Sequence, residues 1–428
     1  MGARLLSAPF ARGANGALCC ERVPLAEIAE GAGTPAYVYS SALIRDRFRR
    51  LDEALRDVPH RIHYSLKANS NLAILRLLHE LGCKADVVSG GELYRAQRAG
   101  FAPGDIIFGG VGKTADELRQ ALEAGVRLIN VESEGELRLL NDIAGSMRRI
   151  APVAIRVNPE VSVKAAHAYI KTGERGNKFG VPYDEVLHVA RLAVDLPHLL
   201  LLGLDMHVGS QLSKLDPYRE GAERLITVYE QLVSEGVESI HYLDVGGGLA
   251  VTYDDETPPD IERFAEILVP VARRTGLELI LEPGRFLVAD AGAMLTRVLY
   301  RKQSGGKEYV ITDAGMTELL RPSHYQAFHR IEPLEPREGR MVADVVGPVC
   351  ESGDFLALDR AIECVDPGDV LVVHGSGAYG YVMASNYNSR PRAAEVLVDG
   401  DRWAVVTARE RYEDLVRAEV TQPEWRHA

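Results

Sequence analysis

Between about residues 60 and 285 one alternation recurs eight times: a short apolar or β-branched run, then a longer stretch with apolar residues three and four positions apart. The short runs are RIHYSL, CKADVVS, DIIFGG, VRLINVE, VAIRVN, LLLGLDMH, HYLDV and ELILE. The intervening stretches, NLAILRLLHELG and TADELRQALEAG among them, often close on Gly, a common helix stop. Strand–helix alternation of this kind builds a parallel sheet with helices outside it. Eight units predict an α/β fold, a closed (β/α)8 TIM-like barrel. An open doubly wound sheet of six strands would leave two units unplaced.

Beyond about residue 290 the pattern changes. KEYVITD, RMVADVVGP, FLALD, DVLVVHG, AAEVLVDG and RWAVVTARE read as short strands between Gly, Pro and Asp turns, with one short helical piece near TELLRPSHYQAF. The expected organisation is an N-terminal segment (1–39), ending near PAYVYS and joining a β domain, then a barrel over 40–288, then a C-terminal β-sandwich or β-barrel domain over 289–428. The opening MGARLLSAPFARGANGALCC carries two arginines and no acid, a faint likeness to a transit peptide. It lacks a secretory apolar core, and Gly and Pro interrupt any helix, so it reads as an ordinary strand or tail.

Lys and Arg number 49 against 61 Asp and Glu, a net charge of −12. That balance speaks against nonspecific binding to nucleic acid or to an anionic membrane, and no apolar run approaches the ~20 residues that span a bilayer. The cysteines, Cys19, Cys20, Cys83, Cys350 and Cys364, include no CxxC pair and no Cys/His ligand spacing. Neither a disulfide framework nor a metal site is indicated, and a cytoplasmic location is expected.

Barrels of this type carry their chemistry on loops at the C-terminal ends of the strands. The unusual residues fall there: Lys67 after the first strand, SGGE (89–92) after the second, Arg156 in the fifth, HVGS (207–210) after the sixth, GGG (246–248) after the seventh and EPGR (282–285) after the eighth. Singly, each has an ordinary explanation. Lys67 can be a solvated lysine, Gly246, Gly247 and Gly248 a tight turn, Arg285 a structural ion pair, His207 a core histidine. The glycines are not GxGxxG, so no dinucleotide fingerprint is present. Glu282 closes an apolar strand, where a carboxylate is costly unless paired. Together they are the parts of a pyridoxal phosphate site: an amine for a Schiff base, glycines and a guanidinium for a phosphate, an acid for a pyridinium nitrogen.

YSLKAN, DVVSGGEL, NKFG, HVGSQ, DVGGGL, EPGR, DAGM, CESGD, GAYG and ASNYNSRPRAAEVLVDG follow one another along the chain. By these motifs the chain resembles, over nearly its whole length, the barrel-fold, alanine-racemase-like pyridoxal phosphate decarboxylases, and most closely those acting on meso-2,6-diaminopimelate in the last step of bacterial lysine synthesis. The resemblance implies pyridoxal 5'-phosphate held by Lys67, stacked by His207 and paired at its ring nitrogen with Glu282. Ser210, Gly246, Gly247, Gly248, Pro283, Gly284 and Arg285 would surround the cofactor, with Tyr379 closing over its phosphate. Cys350 would return a proton to the substrate carbon from the partner subunit of a head-to-tail homodimer with shared active sites. Arg285, Arg321, Tyr325, Glu351 and Tyr379 would contact the amino-acid substrate.

Diaminopimelate ends in a second amino-acid group, so its site needs a cation and an acid at the far end; Arg321 and Glu351 offer them. In a helical turn Arg321 and Tyr325 share a face. A buried arginine would repel ornithine, lysine or arginine, whose far end is a cation. A decarboxylase for one of these, for carboxynorspermidine or for a carrier-bound amino acid is the main alternative, ahead of a non-catalytic pyridoxal phosphate carrier or a racemase. Two stretches depart from the expected pattern: GLDMHVGSQ, with Asp205 and Met206, and AAHAYIKTG, which keeps Tyr169 and Thr172. Both are expected to lie away from the reacting groups.

Overall fold

The computed structural model describes residues 9–14, 16–162 and 176–426. Tyr169 and Thr172 lie outside the described residues. The chain forms two compact units, one over Ser41–Ala291 and the other combining 9–40 with 292–426.

The first unit is an eight-stranded parallel barrel: β1 (His60–Ser65), β2 (Lys84–Val87), β3 (Ile106–Phe108), β4 (Leu128–Val131), β5 (Ala151–Asn158), β6 (Leu199–Met206), β7 (Tyr242–Asp244) and β8 (Glu278–Leu281). Each strand pairs in parallel with the next, β8 pairs with β1, and the ring closes without an edge. Among the described residues eight helices surround it: α1 (Ser41–Ala54), α2 (Leu72–Glu80), α3 (Gly90–Ala99), α4 (Ala115–Ala124), α5 (Glu134–Ser146), α6 (Val186–Asp195), α7 (Asp216–Ser234) and α8 (Ile261–Thr275). Only the four-residue helix Arg285–Val288 follows β8, and α1, which precedes β1, packs against α2 and α8 to complete the ring. Helix ends follow their local chemistry. The Thr114 hydroxyl and the Glu117 carboxylate form a capping box on α4, and Gly125 ends that helix in the left-handed region at φ 78°.

Period-two alternation decides what faces where. Outward residues such as Ile62, Tyr64, Val87, Phe108, Val131, Ile155, Leu204, Leu243 and Leu281 are buried and apolar, as a strand under a helix layer requires. Inside, Ile107, Leu128, Ala154 and Ile280 form an apolar plug. One step nearer the C-terminal ends the inward positions turn polar. Asp86 is register partner to Ile107, Asn130 to Ala154, Arg156 to Asp205, and Asp205 to Asp244. The barrel is therefore dry at its middle and charged at one mouth.

The second unit is a mixed sheet. Its longest strand, Gly292–Ser304, is not marked by the sequence pattern, because neither half alternates: residues 292–296 are all buried and residues 300–304 all exposed. Ala36–Ser40 pairs antiparallel with the start of that strand and parallel with Ala394–Asp399, so the N-terminal segment lies inside this sheet rather than at its edge. Val38, Ala293, Leu295, Val372, Val396 and Val398 form the core with Phe10, Leu18 and Ile28 from the N-terminal segment. The buried Tyr39 hydroxyl donates to Glu395 Oε1 at 2.7 Å, and the Thr407 hydroxyl donates to Glu395 Oε2 at 2.6 Å. Tyr39→Phe leaves this buried carboxylate a donor short and is expected to destabilise the protein by about 1.5–3 kcal/mol, read by denaturant unfolding of the variant beside wild type.

Candidate active site

Strand β1 ends at Ser65, and one turn of 3-10 helix, Leu66–Ala68, carries Lys67 onto the rim. Lys67 Nζ stands 3.8 Å from Asp86 Oδ2 at the end of β2, and the Ser65 hydroxyl donates to the same oxygen at 2.7 Å. The loop after β8 packs directly on this turn: a Cβ at Gly284 would meet Ala68 Cβ at 3.0 Å and Ser65 Cβ at 3.2 Å. The Ser65 N–H donates to the Pro283 carbonyl at 3.2 Å. Arg285, also buried, donates from Nη2 to Ser210 Oγ at 3.2 Å and from Nη1 to the Tyr253 oxygen at 2.8 Å.

His207 follows β6 and is partly buried. Its Nδ1 accepts the Gly247 N–H at 3.2 Å, which puts the proton of the neutral ring on Nε2. Lost hydration, then the charges of Lys67 and Arg156, hold its pKa well below the usual histidine value. The imidazole is thus a flat neutral surface on the rim.

The glycine triplet is dictated by crowding. A Cβ on Gly247 would fall far inside contact distance of the Glu282 carbonyl oxygen, and one on Gly248 would do the same to Gly209. Only glycine lets the β7 loop wedge between the β6 and β8 loops. Two of the three amides are spent within the site: the Gly246 N–H donates to Asp244 Oδ1 at 3.0 Å and the Gly247 N–H to His207. Through these bonds Gly246 and Gly247 hold an acid and an imidazole in place.

Glu282, at the end of β8, meets Asp244 and Asp205. One carboxylate oxygen from each lies within 4.8 Å of the others, and all three residues are buried. Burial first, and a neighbouring carboxylate, Asp86, after it, raise the pKa of Asp244 to about 7 against the hydrogen bond from the Gly246 N–H, which lowers it. Burial, then neighbouring carboxylates, raise those of Asp205 and Glu282 well above the ordinary carboxylate range. The nearby cation is Arg156, whose Nη1 lies 2.9 Å from Glu132 Oε1 and whose Nε lies 3.9 Å from Asp205 Oδ2. Asp205 therefore belongs to the site, contrary to the expectation that it lies away from it. Asp86, Asp244 and Tyr253 also went unmarked. The first two had a signal, an aspartate at an inward position in KADVV and YLDV, where an apolar strand gives an acid no other reason to be.

In the second unit, Arg321 opens a five-residue helix that ends at Tyr325. Arg321 is buried, not solvated, and its Nη1 donates to His329 Nε2 at 2.8 Å. His329 Nδ1 in turn donates to the His374 carbonyl at 2.8 Å, which fixes its tautomer. The CESGD loop adjoins that helix: a Cβ at Gly353 would touch Ser323 Oγ at 3.4 Å. Cys350 and Glu351 are exposed, and the Cys350 N–H donates to Asn388 Oδ1 at 2.9 Å. Tyr379 is half-buried and adopts a left-handed backbone, φ 55°. The structure thus groups Lys67, His207, Ser210, Gly246, Gly247, Gly248, Glu282, Pro283, Gly284 and Arg285 on the barrel rim. It sets Arg321, Tyr325, Cys350 and Glu351 on adjoining segments of the second unit.

Residues 41–289 match the family model described as pyridoxal-dependent decarboxylase, pyridoxal binding domain. The chain is 46% identical over 412 residues to diaminopimelate decarboxylase of Vibrio cholerae, covering 96% of this chain and 98% of that one. It is 45% identical to the Aquifex aeolicus diaminopimelate decarboxylase, covering 95% and 97%. The crystal structure of the Helicobacter pylori diaminopimelate decarboxylase complexed with L-lysine superposes with a TM-score of 0.89 at 40% identity, covering 92% of this chain and 99% of that one.

Gly247→Ala is expected to force the β7 and β8 loops apart and to destabilise the protein by about 1–3 kcal/mol, the usual cost of overpacking. Thermal unfolding checks it, with Gly112→Ala as control, since a Cβ there meets nothing within 4 Å.

Proposed function

The chain belongs to the pyridoxal-dependent decarboxylases, among the diaminopimelate decarboxylases, and on that basis we propose that it converts meso-2,6-diaminopimelate to L-lysine and carbon dioxide. Its cofactor is pyridoxal 5'-phosphate, and its step is the last in lysine synthesis. The gathering of Lys67, His207, Glu282 and Arg285 on one barrel rim supports this most.

The rim residues fit such a cofactor. Three buried acids crowd together, and Asp205 Oδ1 has no hydrogen-bond partner among the described residues, so a cationic ring N–H is welcome beside Glu282. When bound, pyridoxal phosphate supplies an aldehyde that condenses with amines and a protonated ring that takes up the electron pair left by a departing carboxylate. Lys67 would hold the cofactor through Nζ, and Asp86, 3.8 Å away, would keep its ammonium at the rim. Glu282 keeps a proton on the ring nitrogen. The neutral His207 would offer the ring a flat surface without adding a second charge. Arg285 and Ser210, already hydrogen-bonded to each other, receive the phosphate together with the Gly248 end of the glycine loop.

Cys350 acts as the acid that returns a proton to the α-carbon. Its exposure suits delivery to the site of the partner subunit in a homodimer. Arg321, oriented by His329, takes the far carboxylate of the substrate, Glu351 the far ammonium, and Tyr325 and Tyr379 complete the substrate contacts. A buried arginine there disfavours substrates that end in a lone cation. All five cysteines are free, in keeping with a reducing cytoplasm, and no helix among the described residues is long and apolar enough to cross a membrane.

Carbon dioxide release from meso-diaminopimelate, with lysine, ornithine and arginine alongside, tests the proposal. Release from diaminopimelate alone, lost in Lys67→Ala, is expected. Cys350→Ala should lower turnover by about 10²–10⁴-fold, the usual contribution of a general acid. Arg321→Met should raise KM for diaminopimelate by about tenfold or more, the worth of a charge-assisted hydrogen bond. Release from ornithine, lysine or arginine instead would overturn the assignment of Arg321.

A further inference from the structure

The barrel mouth carries more negative charge than its cations can balance. Lys67 stands against Asp86, and Arg156 is bonded to Glu132. Asp205, Asp244 and Glu282 remain, and the same two cations, Arg156 with its Nε 3.9 Å from Asp205 and Lys67 acting on Glu282, must serve them as well. Three carboxylates within 4.8 Å and out of water cannot all ionise. The hydrogen bonding points the same way. One oxygen each of Asp244 and Glu282 lie within 4.8 Å of each other, and two carboxyl groups bond only if one carries a proton. Asp205 Oδ1 and Asn130 Oδ1 are buried oxygens without a donor among the described residues. Asn130 already reaches toward Asp244, with Nδ2 3.5 Å from Oδ2.

We propose that Asp205 and Asp244 are positioning residues for Glu282: the three carboxyls share two protons, so that the trio presents one negative charge, rather than three, to the ring nitrogen. This rests on the decarboxylase assignment and adds to it a reason for two aspartates that touch no reacting atom. Proton sharing gives the orphaned Asp205 Oδ1 a site for a proton, and it holds the Glu282 carboxyl through Asp244, itself held by the Gly246 N–H at 3.0 Å. The charged groups facing the trio are Lys67, Asp86, Glu132 and Arg156, with the neutral His207 beside them. The sign of the pH effect follows from the raised pKa values. A carboxyl that binds its proton more tightly folded than unfolded favours the fold at low pH. That advantage drains away as pH rises from the unfolded carboxylate range, about 4, through about 7.

The test uses full-length wild type, Asp244→Asn, Asp205→Asn and Asp244→Ala, each with and without cofactor. For the cofactor-free proteins the melting temperature of wild type should fall as pH rises from about 6 to about 9, and fall less in the Asn variants, which remove a titrating group. For the loaded enzymes Asp244→Ala should lower kcat by about tenfold or more with KM little changed, and Asp244→Asn, a neutral mimic of the protonated acid, should recover most of that loss. The pH titration of the bound cofactor's visible band should shift in the Ala variant and return toward wild type in the Asn variant. Equal pH slopes in wild type and both Asn variants would overturn the proposal. So would an Asp244→Asn enzyme as impaired as Asp244→Ala, or a calcium or magnesium salt that raises the melting temperature of wild type but not of Asp244→Asn. Should Asp244→Ala fail to fold, the pH slopes of the Asn variants decide. A wild type that releases no carbon dioxide from diaminopimelate would instead sink the assigned reaction, and the cofactor-free pH slopes would then judge the shared protons alone.

Discussion

The organising constraint of the barrel is a layer of charge buried at one mouth. Below it the inward side chains are apolar, and above it the loops begin. Glu282, Asp244 and Asp205 have left water without enough cations to match them. Such a cluster is unfavourable in an empty fold and becomes favourable when a cation or protons arrive. Stability and ligand recognition are therefore coupled through the same side chains, and much of the surrounding loop structure serves to hold them together.

The loops after β6, β7 and β8 interlock without room for side chains. Gly247 presses on the Glu282 carbonyl, Gly284 on the Lys67 turn, and the Gly246 and Gly247 amides bind the acid and the imidazole directly. The distance between the lysine and the buried acids is thus set by backbone packing, not by flexible side chains. Preorganisation of this kind is what a site for a flat, charged cofactor requires. In the second unit the same economy holds Arg321, through a chain from its guanidinium to His329 and on to the His374 carbonyl.

Much of this was legible in the sequence because the barrel repeats one simple pattern. Alternating strands and helices fixed the strand count, and the rim residues Lys67, His207, Glu282 and Arg285 stood out as polar groups closing apolar runs. The strand Gly292–Ser304 is hidden because its first residues are buried on both faces and its last are exposed on both, so it has no alternation. The helix that completes the barrel ring, α1, precedes β1 rather than following β8, an order that periodicity alone does not reveal. Asp205, Asp86 and Asp244 were missed for a different reason. Each is a single acid within an apolar strand, and only the register of adjacent strands brings them face to face with Lys67 and Glu282. The crowding of the glycine triplet against Glu282 is visible only in three dimensions.

The most direct test of the account is to reduce the protein with borohydride in the presence of pyridoxal 5'-phosphate and to map the modified lysine by peptide mass spectrometry. The account predicts a phosphopyridoxyl adduct on Lys67, in the HYSLKANSN segment, and on no other lysine in stoichiometric amount. An unmodified Lys67, or an adduct placed on a lysine elsewhere such as Lys113, would contradict it.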